Sequence, residues 1–394
     1  MLLIINTNKK GDTMEKWTRL NLTIEKGYHI RINNDYLEPF KEELLQFVDE
    51  QQSINNLLFA KKMMMSQEIK ANNTIEGINN DLTIIDEVID KRKVPLSTSE
   101  RKRIINLYHG YQYILTHKDI NKESLRELYS ILSDGILEPY DYVNLGKYYR
   151  TKPVYILKGR SLSVEPFKGV DSDKIDYYMN QFFEYVNSNN NDTKDIDTFI
   201  KSQVMHFYFV YIHPYFDVNG RTSRTVSMWY LLNNKSYPYI IFNRAIAYSQ
   251  KNYEPTIIKA REYGDVTLFL KYMIENVHKE LEREYVITNI SEHTEKGLTK
   301  QERQMLEYFL NINGNLNAKE LVTIYNAYNE HRKTKDIVEE DIYPLIDKKV
   351  LLVKGYTKSH LYNDVPNMFL GINPNMVDVD KEKVKHLKLD RFIK

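Results

Sequence analysis

The sequence predicts a mainly α protein: a helical bundle, interrupted by one β-hairpin flap and followed by a small α+β domain. Three observations lead there. Apolar residues recur at three- and four-residue spacing through most of the chain between Tyr36 and Arg283. One stretch, Gly146 to Gly169, is clearly non-helical. Beyond a composition shift at Thr288 to Gly297, the pattern becomes three short helices and two extended runs.

Residues 1–35 show weak periodicity and are expected to form an extended arm. Helices are predicted over Tyr36 to Gln51, Ile54 to Asn73 and Asp81 to Lys91, with a break at Lys93 to Ser97. Ser97 and Glu100 have capping-box spacing for a helix running to about His117, and Asn121 to Leu132 is the next. Val154 to Leu157 and Ser161 to Val164 read as a hairpin turning at Gly159, followed by a helix from Asp171 to Asn187. Asp195 to Ile212 carries Ile196, Phe199, Ile200, Val204, Phe207 and Val210 at helical spacing with more aromatics between, so a largely buried helix is expected. Pro214 ends it. Arg221 to Asn233 resumes as an amphipathic helix through Val226, Trp229 and Leu232. A helix through Arg261 and another over Phe269 to Arg283 close the bundle. The expected division is an arm (1–35), an N-terminal helical region (36–95), a core (96–287) and a C-terminal domain with its tail (298–394).

Composition excludes several classes. Lys+Arg number 55 against 54 Asp+Glu, a net +1, so nothing in the overall charge demands nucleic acid or an acidic membrane. Cysteine is absent, which removes disulfide and thiolate chemistry and fits a reducing cytoplasm. The Met-Leu-Leu-Ile-Ile-Asn start is too short for a signal peptide, and no apolar run reaches membrane-spanning length. The expectation is a cytoplasmic protein with no membrane partner.

The densest chemistry lies in His213-Pro-Tyr-Phe-Asp217-Val-Asn219-Gly220-Arg221-Thr-Ser-Arg224, between the two helices. The first N–H groups of the second helix lack intrahelical partners and sit at the positive end of its dipole, which suits a phosphate chain. Arg221 and Arg224, three apart, are placed to fork onto phosphate oxygens. Asp217 is an oxygen ligand of the kind Mg²⁺ accepts when phosphates complete its shell. His213 can take a proton near neutral pH. Base, metal ligand and phosphate cradle together specify a nucleotidyl or phosphoryl transferase. His206, two turns before His213, reads as packing; a zinc set of His206, His213 and Asp217 has no His-Glu-x-x-His or Cys ligand behind it.

This stretch resembles the signature of the Fic family, His-x-Phe-x-Asp/Glu-Gly-Asn-Gly-Arg-x-x-Arg, matching at His213, Asp217, Asn219, Gly220, Arg221 and Arg224. Tyr215 stands for Phe and Val218 for the first Gly; a β-branched residue adopts positive φ poorly and adds bulk beside a phosphate. The resemblance implies a Fic-type fold and transfer of AMP from ATP, with Mg²⁺, to a Ser, Thr or Tyr hydroxyl of a target protein, itself included. His213 would be the base, Asp217 the metal ligand, and Asn219, Gly220, Arg221 and Arg224 the phosphate cradle. Asn72-Asn-Thr-Ile-Glu76-Gly77, by itself a helix ending at a glycine cap, is similar to the family's inhibitory motif. Glu76 would then pair with Arg224 and exclude an outer phosphate, or position water for AMP removal. Asn72 stands where Ser or Thr is expected. The resemblance further implies that Val154, Tyr155 and Ile156 lie on the flap that docks the target by edge pairing, and that Asn252 and Tyr253 lie against adenine or ribose. The C-terminal order resembles a winged-helix domain. Its third helix begins with Glu339, Glu340 and Asp341, so protein interaction is favoured there over DNA. A DNA-binding regulator with a nucleotide-sensing core is the alternative, and a homodimer stays open.

Overall fold

The structure, a computed structural model, describes residues 17–50, 62–141, 147–156, 167–188 and 195–393. From Trp17 on, the expected arm is a hairpin: β1 (Trp17–Thr23) pairs antiparallel with β2 (His29–Asn33). Leu20 and Leu22 alternate inward, a period of two that a helical search passes over. Gln181 and Tyr208 hydrogen-bond Thr23 and fix the hairpin to the bundle.

The first helices are α1 (Asn34–Glu50), α2 (Lys62–Ile75), α3 (Leu82–Ile89), α4 (Thr98–Thr116) and α5 (Lys122–Ser133). Ser97 and Glu100 close both arms of the expected capping box. After the short ladder of β3 (Tyr155–Ile156) and β4 (Phe167–Lys168) come α6 (Ile175–Asn187), α7 (Asp195–Ile212) and α8 (Asn219–Asn233). α7 and α8 form the centre: Val204, Phe207, Phe209, Ile212, Met228 and Trp229 are fully buried, each apolar side chain contributing about 1.5–3 kcal/mol by leaving water. A rigid central pair matters because the functional loop is the turn between them.

α9 (Phe242–Tyr263) is one helix kinked at Ser249, and α10 (Thr267–Glu292) follows. α10 runs past Arg283 and through the start of the expected linker, because Val286, Ile287 and Ile290 continue its apolar stripe and are buried. Composition alone reads that segment as polar; packing decides it as helix.

The C-terminal part contains α11 (Lys300–Phe309), α12 (Ala318–Tyr328) and α13 (Thr334–Ile337). The helix expected over Val338 to Lys348 is broken into a π-turn, Val338–Ile342, and α14 (Tyr343–Asp347), where Pro344 has no N–H to continue the ladder. β5 (Leu351–Tyr362) and β6 (Val365–Ile372) pair antiparallel, longer than the two runs expected. A buried ion network joins this part to the bundle: Arg244 of α9 contacts Glu280 at 2.7 Å, Glu284 at 3.1 Å and Glu307 at 2.8 Å. Among the described residues, no helix is long and apolar enough to cross a membrane.

Candidate active site

The turn from α7 into α8 opens onto a cleft of about 280 Å³, bounded by Ile75, Glu76, His213, Asp217, Val218, Gly220, Arg224, Tyr253 and Arg261 among others. His213 has left the helix with φ 54°, though its N–H still donates to Phe209 O at 2.9 Å. Its Nδ1 lies 3.4 Å from Val210 O, which leaves Nε2 as the acceptor. The ring is half-buried at the cleft wall. Burial, with Arg261 and Arg150 close by, holds its pKa down at about 3, so the imidazole is neutral; the near-neutral titration expected from sequence does not hold for the free protein.

Val218 takes the N-cap of α8 in the left-handed conformation, φ 65°, in a position that favours glycine. Its side chain is only 3% exposed and packs into the core, so the cleft stays open beside it. Asp217 is exposed at the cleft mouth; one carboxylate oxygen accepts the Val218 N–H at 2.6 Å, leaving the other to face outward ligands. Asn219 borders the cleft, but its side chain is spent on the loop: Oδ1 accepts Tyr215 N–H at 2.9 Å and Nδ2 donates to Tyr215 O at 2.8 Å. Its contribution is therefore to hold the turn closed. Tyr215 stacks on Tyr129 at 3.6 Å and is fully buried, its hydroxyl without a partner among the described residues.

Arg224 is buried and held from the end of α2 and the turn after it. Asn72 Oδ1 accepts from its Nε at 3.2 Å and Nη2 at 2.8 Å, and Glu76 Oε1 accepts from Nη2 at 2.5 Å. Asn72 thus does more than tether its own helix: it receives the arginine directly. Burial alone would raise the Glu76 carboxyl, but Arg224 and Arg221 outweigh it and hold it below the usual carboxylate range. A Cβ on Gly220 would come within 2.7 Å of Glu76 Oε1, so the glycine makes room for the carboxylate. Arg221, expected beside Arg224 in the cradle, does not line the cleft. Its guanidinium is buried with Nε and Nη1 unbonded among the described residues, and burial lowers its pKa.

Tyr253 forms part of the cleft wall with Ile257 and Ile258, its Oη 2.8 Å from Nε2 of the buried His206. Asn252 belongs instead to a separate hollow with Asn276, Lys279 and Asn313, on the other side of α9. Tyr253 therefore joins the cleft wall without its neighbour Asn252.

The flap ladder pairs Tyr155 with Lys168 and Ile156 with Phe167, and Gly169 N–H donates to Val154 O at 3.0 Å. Gly159 and Ser161 to Val164 lie outside the described residues. A Cβ on Gly169 would meet Arg150 Nη2 at 2.7 Å and His213 Cβ at 3.2 Å, which shows how closely the flap base abuts the histidine.

Sequence reasoning missed Arg150, Gln250, Arg261 and Lys70. Arg150, 1% exposed, donates to His213 O at 2.8 Å, Lys152 O at 2.7 Å and Val170 O, stapling the flap to the loop. Arg261 donates to Lys168 O at 3.0 Å. Gln250 anchors the end of α2 through Ile75 O at 2.8 Å. Lys70 of α2 donates to Asn80 O, Tyr328 O and Asn329 Oδ1, binding the helix that leads into Glu76 to the C-terminal part. A buried arginine or lysine whose acceptors are backbone carbonyls leaves no pattern in sequence; its partners exist only once the chain is folded.

Residues 119–231 match the model of the Fic/DOC family. The Protein adenylyltransferase Fic of Drosophila yakuba is 26% identical over 262 residues, 63% of this chain and 49% of that protein. The protein of the same name from Nematostella vectensis is 23% identical over 271 residues, covering 64% of this chain and 58% of its own length. The chain therefore spans about half the length of the curated relatives it matches. The crystal structure of a Fic family protein from Desulfovibrio desulfuricans G20 superposes with a TM-score of 0.52 at 18% identity, covering 85% of this chain and 95% of that one. That likeness is one of fold.

Proposed function

We propose that this chain, whose residues 119–231 are a Fic/DOC-family domain, is a protein adenylyltransferase that moves AMP from ATP to a hydroxyl side chain of a target protein. The observation that carries the reading is one cleft bounded together by a neutral imidazole, an exposed carboxylate, a helix N-terminus and a buried arginine. In the reaction, the target oxygen attacks the α-phosphorus while its proton passes to His213 Nε2. A P–O bond forms to the target, the α–β bridge breaks, and pyrophosphate leaves. Arg224 and the first N–H groups of α8 oppose the charge gathering on the leaving group.

His213 is a weak base while free. A triphosphate seated beside it brings negative charge against Arg150 and Arg261 and raises its pKa, so base strength arrives with the nucleotide. The outward oxygen of Asp217, with phosphate oxygens, fits the donor set that Mg²⁺ takes. When bound, the ion neutralises phosphate charge. Tyr253, Ile257 and Ile258 offer an apolar wall for the adenine. The flap edge at Val154 to Ile156, joined to His213 through Arg150, would present the target by main-chain pairing, which imposes little sequence preference.

Glu76 restrains the site. Its carboxylate occupies the Arg224 donor that an outer phosphate needs and repels the triphosphate as well. The same carboxylate beside the cleft could orient water for AMP removal, the reverse use of the site. For the C-terminal part we favour protein docking over DNA, because Glu339 and Glu340 are exposed where a recognition helix would meet phosphates.

The test is label transfer. With Mg²⁺, ATP labelled on the α-phosphate should mark protein, more strongly with Glu76→Gly and not at all with His213→Ala. Transfer of γ-label would make the protein a kinase. No transfer from either label in any of the three proteins would reject the adenylyltransferase.

A further inference from the structure

Apart from the cleft, one cluster joins three segments distant in sequence. Glu43 of α1, His278 of α10 and His386 of the tail each bring one donor atom to within 4.8 Å of the others. Glu43 and His278 border a hollow of about 290 Å³, with Lys385 next to His386 on its rim, that shares no residue with the nucleotide cleft. We propose that Glu43, His278 and His386 form a site for a zinc-class divalent ion, which staples the C-terminal tail onto α1 and α10.

The argument rests on how the donors are held. His386 Nδ1–H donates to Glu282 Oε1 at 2.8 Å. Glu282 is itself 1% exposed and accepts Leu387 N–H at 2.7 Å and His386 N–H at 3.3 Å, so the tail is wrapped onto this carboxylate. With Nδ1 committed, the lone pair of His386 is on Nε2, which lies 3.6 Å from Glu43 Oε2. A carboxylate that fixes the far nitrogen of an imidazole is the usual second support of a metal-bound histidine. Lys385 contacts the other Glu43 oxygen, which leaves Oε2 to His386, while His278 Nε2 lies 3.6 Å from Glu282 Oε1. His278 is 4% exposed and its ring centroid is 4.2 Å from that of His386.

Two imidazoles and a carboxylate are the ligand types zinc accepts, with bonds of about 2.0–2.2 Å that need donors about 3.3 Å apart. The donors here need to close by about 1.5 Å at most. One coordination position remains toward the hollow. Glu43 and Glu282 carry the charge to balance a dication beside Lys385. Without a metal, a protonated His386 bridging Glu43 and Glu282 would hold the same groups, and the experiment separates the two.

The full chain is stripped with a chelator, exchanged into Zn²⁺ without nucleotide, dialysed and analysed for metal beside Glu43→Gln and His386→Gln. The expected result is one zinc per chain, lost in both variants, with a rise in Tm on adding Zn²⁺ to wild type alone. Co²⁺ in place of Zn²⁺ should give the visible bands of a four-coordinate ion. Glu282→Gln should weaken zinc by about 10- to 100-fold, since it removes only the supporting carboxylate. Equal metal content in wild type and both variants, or a wild-type Tm that is the same in Zn²⁺ and in chelator, would leave a protonated histidine bridge only and overturn the site.

Discussion

Replacing Glu76 by glycine tests the restraint most directly. Arg224 makes one bond to Glu76 and two to Asn72, so the variant frees a single donor while the arginine stays anchored. A hydrogen bond between charged groups is worth about 1.5–3 kcal/mol when shielded. The Glu76 side chain is 31% exposed, so solvent screening reduces this to about 1–2 kcal/mol. At 1.4 kcal/mol for each factor of ten, ATP should bind about 5- to 30-fold tighter, and loss of the repelling charge acts in the same direction. Titration calorimetry with ATP and Mg²⁺ on the His213→Ala background reads binding without turnover. Because Glu76 is held below the usual carboxylate range, the clamp is fully charged at neutral pH and loosens only as pH falls through its lowered pKa. The gain should therefore be constant at neutral pH and down through the ordinary carboxylate range, and shrink only below it. An ATP affinity unaltered by Glu76→Gly at neutral pH would refute the clamp.

Further expectations follow from the same contacts. Gly220→Ala places a methyl 2.7 Å from Glu76 Oε1 and 3.1 Å from Arg224 Nη1; in the Glu76→Gly background, where only the arginine is crowded, it should lower transfer, and unaltered transfer there would refute the crowding argument. The His213 pKa of about 3 predicts that kcat/KM for ATP, which reports the free protein, has no histidine limb between pH 5 and 8. The limb in kcat should lie at higher pH, and a step near 6.5 in kcat/KM would contradict the neutral-imidazole reading. Tyr215→Phe deletes an unbonded buried hydroxyl and should stabilise the fold by about 1 kcal/mol in urea denaturation; a loss of stability would mean the hydroxyl has a partner. Lys70→Met leaves the carbonyls of Asn80 and Tyr328 unpaired, so it should cost about 2–4 kcal/mol and raise basal transfer by loosening α2. Destabilisation with unchanged transfer would separate the C-terminal part from control of Glu76.

The sequence by itself determined the helices and the chemistry of the central turn. Helical spacing, the Ser97–Glu100 box and Pro214 are local signals, and the short spacing from His213 to Arg224 puts those groups on one turn and the start of the helix after it. Glu76 was legible through a motif, and the structure puts it on Arg224 across 148 residues. Tertiary structure alone decided the rest. Arg150 and Lys70 act through backbone carbonyls that carry no sequence mark. Arg221 is buried without lining the cleft and Asn219 is consumed by its own loop, because packing around the turn and the loop's hydrogen bonds, which spacing does not contain, choose which polar groups reach a cleft. The same holds for length and strandedness: α10 outruns its expected end and the arm is, from Trp17 on, a hairpin, each because a neighbouring surface offered apolar burial that a one-dimensional pattern does not contain.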